Sequence, residues 1–141
     1  MTIDELIKLD SDSFTEFMNE NVTCELHYGL PIVEFDGEQY AIAYIEEKAD
    51  KACGEYIENT IWAFDPYFLE QMTDVPAEMF EAVQYKCDSI NEALQILVMR
   101  TCGMDDFVDA AINADGRGHF LSPYDGEEIE LACGGYAYRI D

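Results

Sequence analysis

Ile32-Val33-Glu34-Phe35-Asp36-Gly37-Glu38-Gln39-Tyr40-Ala41-Ile42-Ala43-Tyr44-Ile45 decides the fold. The apolar run at residues 32–35 ends in Asp36-Gly37, a dipeptide suited to the positive φ angles of a type I′ hairpin turn. Beyond it Tyr40, Ile42 and Tyr44 recur at every second position, with Ala41 and Ala43 between them. Period two marks a strand whose two faces differ, and the alanines leave room for a helix to lie close. Upstream, Val22, Cys24, Leu26 and Tyr28 alternate with Thr23, Glu25 and His27. This predicts a half-buried strand with the first set inward and His27 on the polar face. Gly29 and Pro31 break that run, so residues 22–45 read as a three-stranded antiparallel meander.

Past Ile45 the period becomes helical. Ala49, Ala52, Cys53, Tyr56 and Ile57 predict a helix over residues 46–59, which Gly54 weakens by up to about 1 kcal/mol relative to alanine. Asp65-Pro66 supplies an N-cap followed by proline at the first helical position. Asp74 and Pro76 repeat the device ahead of a helix over 77–86, with Met79, Phe80 and Val83 inward. Ser89 and Glu92 have the spacing of a capping box. They open a helix over 89–102 in which Ile90, Ala93, Leu94, Leu97 and Val98 form an apolar face, widened by Ile96 and Met99. A helix apolar around most of its circumference is normally covered on several sides, so 89–102 is expected to be the central buried helix. Gly103 ends it, and Phe107, Val108, Ala111 and Ile112 mark one more helix over 104–114.

The two ends complete the plan. Thr2 and Glu5 form a capping box for a short helix, and Ser11 or Ser13 caps a second one carrying Phe14, Phe17 and Met18. Residues 115–126 read as a turn-rich connection. Ile129 and Leu131, then Tyr136, Tyr138 and Ile140 after Gly134-Gly135, alternate as a hairpin that extends the sheet. The expected fold class is α+β: an antiparallel sheet of about four or five strands, made of the N-terminal meander and the C-terminal hairpin, with a helical subdomain between them. The chain length suits one domain spanning residues 1–141.

Composition sets the functional expectations. There are 31 aspartates and glutamates against 7 lysines and arginines, a formal charge of -24, in a chain that is 49% hydrophobic. So much apolar material excludes a disordered acidic tail. Charge of one sign destabilises a compact molecule by self-repulsion, repels nucleic acid and anionic membranes, and attracts basic partners. No apolar run reaches transmembrane length, and the N-terminus has no signal-peptide pattern. The five cysteines are scattered without a CxxC pair, which points away from zinc or redox motifs and toward reduced thiols in a cytosol.

No catalytic signature stands out. Asp115, Arg117, His119, Ser122, Tyr124 and Asp125 place reactive side chains in one segment. The expectation is nonetheless structural: Arg117 pairs with a surface carboxylate and His119 donates a structural hydrogen bond. Asp10-Ser11-Asp12-Ser13 begins like a calcium loop but lacks its glycine and closing glutamate. Gly116-Arg117-Gly118 lacks the Lys-Ser/Thr of a phosphate loop. No enzyme activity, metal or cofactor is therefore expected. Trp62, Phe64, Tyr67 and Phe68 are expected in a core where the chain turns. The remaining candidates are carboxylates on helices: Glu46, Glu47, Asp50, Glu55 and Glu58 on the first long one, and Glu78, Glu81, Asp105, Asp106 and Asp109 on later ones. Arrayed on a surface, they could imitate nucleic-acid phosphates and fill the groove of a basic, nucleic-acid-binding host protein. The alternative is an accessory or structural protein whose acidity serves solubility or self-assembly.

The segment Asp115-Gly116-Arg117-Gly118-His119-Phe120-Leu121-Ser122-Pro123-Tyr124-Asp125-Gly126-Glu127-Glu128, with the closing Tyr136-Ala137-Tyr138-Arg139-Ile140, resembles the C-terminus of small uncharacterised acidic proteins of bacteriophages and conjugative elements. Tyr56-Ile57-Glu58-Asn59-Thr60-Ile61-Trp62-Ala63-Phe64 is similar to an upstream stretch of the same group. The resemblance implies only a mobile-element origin and carries over no catalytic or binding residue; together with the reduced thiols it sets the expected location as the cytoplasm of a bacterial host. By analogy with antagonists that mobile elements encode, it turns the expected partner toward restriction or CRISPR nucleases.

Overall fold

The computed structural model describes residues Met1–Asp141. The architecture is α+β, with a five-stranded antiparallel sheet in the order β1-β2-β3-β5-β4. The chain divides into two compact units, one of residues Met1–Glu55 with Asp115–Asp141, the other Tyr56–Ala114.

The first unit holds the whole sheet. Its meander is β1 (Val22–His27), β2 (Leu30–Phe35) and β3 (Glu38–Ala43). Asp36 and Gly37 both adopt positive φ, 54° and 74°, as the hairpin turn requires. The C-terminal hairpin, β4 (Ile129–Glu130) and β5 (Tyr136–Arg139), joins the meander through β5, with Ala41 opposite Tyr138 and Ile42 opposite Ala137. Gly135 lets that hairpin close on β3, because a Cβ there would stand 2.7 Å from the Ala43 carbonyl oxygen.

Both faces of the sheet are used. Val33, Phe35, Tyr40, Ile42 and Ala137 face α1 (Ile3–Ile7) and α2 (Ser11–Asn21), packing on Leu6, Phe14, Phe17 and Met18. Thr2 and Glu5 make the expected capping box. The cap of α2 is Asp10, ahead of both expected serines, Ser11 and Ser13; its carboxylate accepts from the Ser13 N–H at 2.8 Å. The opposite face carries Leu30, Ile32, Ala41, Ala43 and Tyr138, all buried. There the N-terminal part of α3 (Glu46–Asn59) buries Ala49, Ala52 and Cys53. Residues 117–121, expected as part of a turn-rich connection, form a short helix, α8 (Arg117–Leu121). Gly118 permits it, since a Cβ would lie 2.6 Å from the Glu127 carbonyl carbon.

β1 departs from expectation. Thr23 and His27 are the half-buried residues, while Val22, Cys24 and Leu26 are exposed. The register with β2 shifts between Val22 and Leu26, which re-aims this edge strand. His27 lies opposite Leu30, and its Nε2 is 2.9 Å from the Leu121 carbonyl oxygen it donates to. Alternation showed that the two sides of β1 differ; the register and that hydrogen bond decide which side is covered.

The second unit is helical. It takes the end of α3, then α4 (Pro66–Thr73), α5 (Ala77–Val83), α6 (Asn91–Arg100) and most of α7 (Met104–Asp115), with 3-10 turns at Ile61–Ala63 and Gln84–Ile90. Asp65 caps α4, with Pro66 at its first position. Asp74 does not repeat this role; it ends α4 in the left-handed conformation, φ 63°. The α6 helix is shorter than residues 89–102. Ser89 lies in the preceding 3-10 turn, where its hydroxyl donates to the Lys86 carbonyl oxygen at 2.6 Å, so the capping box does not form. Leu94 and Val98 are buried, whereas Ile96 and Met99 are 46% and 58% exposed. Thus α6 is covered on one side only.

Side-chain amides staple this unit. Asn91 donates to the Glu58 carbonyl oxygen at 2.8 Å and accepts from the Trp62 N–H at 3.2 Å. Gln95 donates to the same Glu58 oxygen, and Gln84 donates to the Trp62 and Phe64 carbonyls. These bonds satisfy the backbone groups left open where α3 ends and the chain turns. Of the expected aromatic core, Trp62, Phe64 and Phe68 are half-buried and Tyr67 is exposed; Phe64 and Phe68 pack ring on ring with the buried Phe107.

Candidate functional site

Of all the aspartates and glutamates, only Glu38, Glu58 and Glu128 are half-buried; the rest are exposed. Nearly the whole negative charge therefore faces water, where it is available to a partner.

Two of the seven basic residues are drawn inward. Arg117, at the start of α8, grips the Glu128 carboxylate with Nε at 2.8 Å and a second guanidinium nitrogen at 3.0 Å. Its third nitrogen reaches Asp50 at 2.9 Å and Glu46 at 3.4 Å. The guanidinium lies 4.6 Å from the centre of the Tyr136 ring, and Tyr138 donates its hydroxyl to Glu128. Burial disfavours the Arg117 charge, but the bonds to Glu128 and Asp50 outweigh it and hold the guanidinium more firmly protonated than usual. Burial, reinforced by the bond to Glu128, pushes the Tyr138 hydroxyl up. Arg139 stacks 3.7 Å from the Tyr124 ring centre and pairs with Glu38 at 3.3 Å. These arginines tie sheet to helix and loop. Sequence reasoning anticipated a carboxylate for Arg117 but not Glu128 or the two tyrosines.

The ten candidate carboxylates separate by local role. Glu46 and Glu47 occupy the first turn of α3, Glu78 that of α5, and Asp105 and Asp106 that of α7. A carboxylate there is favoured by the helix dipole, worth about 0.3–1 kcal/mol. Glu46 and Asp50 also serve Arg117. Glu58 is half-buried and Glu55 exposed. Glu81 and Asp109 are exposed beyond the first turns of α5 and α7. No local structural role accounts for these two.

The reactive side chains of residues 115–125 are dispersed into structural contacts. Ser122 donates to Asp125 at 2.7 Å, and Asp125 also accepts from the Glu127 N–H. His119 is exposed with its ring against Phe120, Tyr124 is exposed beneath Arg139, and Asp115 is the exposed last residue of α7. Burial pushes the Cys53 thiol up to about 12, which keeps it protonated. No three His, Cys, Asp or Glu side chains are grouped to hold a metal ion, and no helix is long and apolar enough to cross a membrane.

Compared with protein-family models, curated proteins and solved structures, the chain matches none.

Proposed function

We propose that this chain is a non-enzymatic acidic binding protein of a mobile element, acting in the cytoplasm of a bacterial host. It imitates nucleic acid and occludes a basic site on a host nucleic-acid-binding or defence protein. The observation that carries this reading is the formal charge of -24 on a folded chain that exposes all but three of its carboxylates. Self-repulsion on that scale works against the fold, so a use outside the fold accounts for it. Helix rise places carboxylates one turn apart at about 5–6 Å. A DNA strand repeats its phosphates at about 3.4 Å, and the duplex at about one charge per 1.7 Å. A basic groove built for phosphates would therefore meet a sparser but similar array.

Occlusion needs no turnover. Complementary charge speeds the encounter and weakens as salt rises. The test is capture of restriction and CRISPR nucleases on the immobilised protein, challenged with increasing salt and with duplex DNA. Salt-sensitive capture that DNA competes away supports the reading. Nucleases that ignore the protein at low salt, or that bind it and DNA together, contradict it.

A further inference from the structure

The exposed side of β1 is the strongest unassigned feature of the first unit. Val22 and Leu26 are 47% and 68% exposed, and Cys24 between them is also exposed. Val22 lies opposite Val33 and Leu26 opposite Pro31, on the sheet face that α1 and α2 cover further in. The strip is thus an uncovered continuation of a core face, at the outer edge of the sheet.

Charge complementarity says what covers it. From Leu9 to Glu47 the chain has ten carboxylates and no lysine or arginine. That stretch contains α2, β1, β2 and β3. Glu25 is adjacent to Leu26 and Glu20 lies two residues before Val22; both are exposed. A second copy would bring the same acids face to face, which like-charge repulsion opposes. A basic segment would neutralise them while its apolar side chains covered Val22 and Leu26. We propose that β1 is the apolar anchor of the interface, and that it takes an extended segment of the partner in which lysine or arginine alternates with β-branched apolar residues. The period of two matches side chains that alternate along a strand. The register shift between Val22 and Leu26 interrupts the ladder, so the anchor acts through side chains more than through a continuous added strand. This inference rests on the binding reading above and names where that contact is hydrophobic.

The experiment uses the full chain and two peptides of equal length and charge, one alternating lysine with valine, the other lysine with serine. The wild-type protein is expected to bind the lysine–valine peptide at least tenfold more tightly, with the amide signals of Val22–His27 shifting. Leu26→Ser with Val22→Thr should remove the preference while leaving lysine–serine binding unchanged; both residues are exposed, and a thermal melt checks the fold. Equal affinity for the two peptides in wild type, or a preference that survives in the variant, overturns the anchor and leaves the electrostatic reading standing. Failure to bind either peptide at low salt removes both. A wild-type homodimer that the variant dissociates overturns the proposal in favour of a second copy on β1.

Discussion

Arg117 and Glu128, eleven positions apart, meet through two parallel hydrogen bonds of 2.8 and 3.0 Å. The same guanidinium reaches Asp50 on α3 and lies against Tyr136 on β5. In a chain with so few cations this arginine supports the fold and is not available to a partner. Removing it would leave Glu128, Asp50 and Glu46 repelling one another. Arg117→Met is expected to cost about 3 kcal/mol, near the low end for breaking a buried pair because Glu128 keeps some solvent exposure. Arg117→Lys recovers part of that, since an ammonium cannot make the paired bonds. Urea unfolding of the three proteins measures it; equal midpoints would show the cluster to be dispensable.

The Cβ contact at Gly118 predicts a steric failure. Gly118→Ala would press a methyl against the backbone of residues 126–128. The expected loss is about 1–3 kcal/mol. Gly116→Ala fails for a different reason, its φ of 84°, in otherwise open space. Thermal unfolding of both variants reads the effect, and an unchanged midpoint for Gly118→Ala would contradict the packing of α8 described above.

His27 gives the first unit a pH dependence. Burial disfavours the imidazolium and lowers the pKa from 6.5 in the folded chain, despite the bond to the Leu121 carbonyl. As pH falls the unfolded chain takes up the proton first. The His27 contribution is therefore complete above about pH 6.5 and is lost as pH drops through the lower folded value. His27→Gln can still donate to that carbonyl and should flatten the stability profile below about pH 6.5. A profile identical to wild type would mean that other groups set it.

Carboxylates with and without a local role should respond oppositely to neutralisation. Asp105→Asn removes a favourable charge from the first turn of α7 and should cost about 0.3–1 kcal/mol. Glu81→Gln and Asp109→Asn lie beyond those first turns and should stabilise the fold by a few tenths of a kcal/mol each, roughly the size of a helical like-charge contact. Chemical denaturation at low salt resolves the signs, and a loss for Glu81→Gln would give that residue a structural role.

Where a signal is local, the sequence carried it. Asp36-Gly37 set the hairpin turn, Thr2 with Glu5 and Asp65 with Pro66 set two helix starts, and alternation placed β2, β3 and the C-terminal hairpin in one antiparallel sheet. What was hidden depended on tertiary placement. The pattern of β1 shows two unlike sides but not that edge position and shifted register leave Val22 and Leu26 bare. Five residues are too few for the helical period of α8 to register. Ser89 and Glu92 have capping-box spacing, but the turn before Asn91 directs the Ser89 hydroxyl to Lys86. Among the ten candidate carboxylates, nothing local distinguished Asp50, which Arg117 holds, from Glu81.

The central claim is that surface charge is kept to engage something positive at the expense of the fold. Its most direct test is the double variant Glu81→Gln, Asp109→Asn, titrated against a restriction nuclease already holding a fluorescent DNA duplex. The account predicts unchanged or raised thermal stability, with displacement of the duplex weakened about tenfold and less dependent on salt. Full displacement by the double variant, with the wild-type salt dependence, would contradict it.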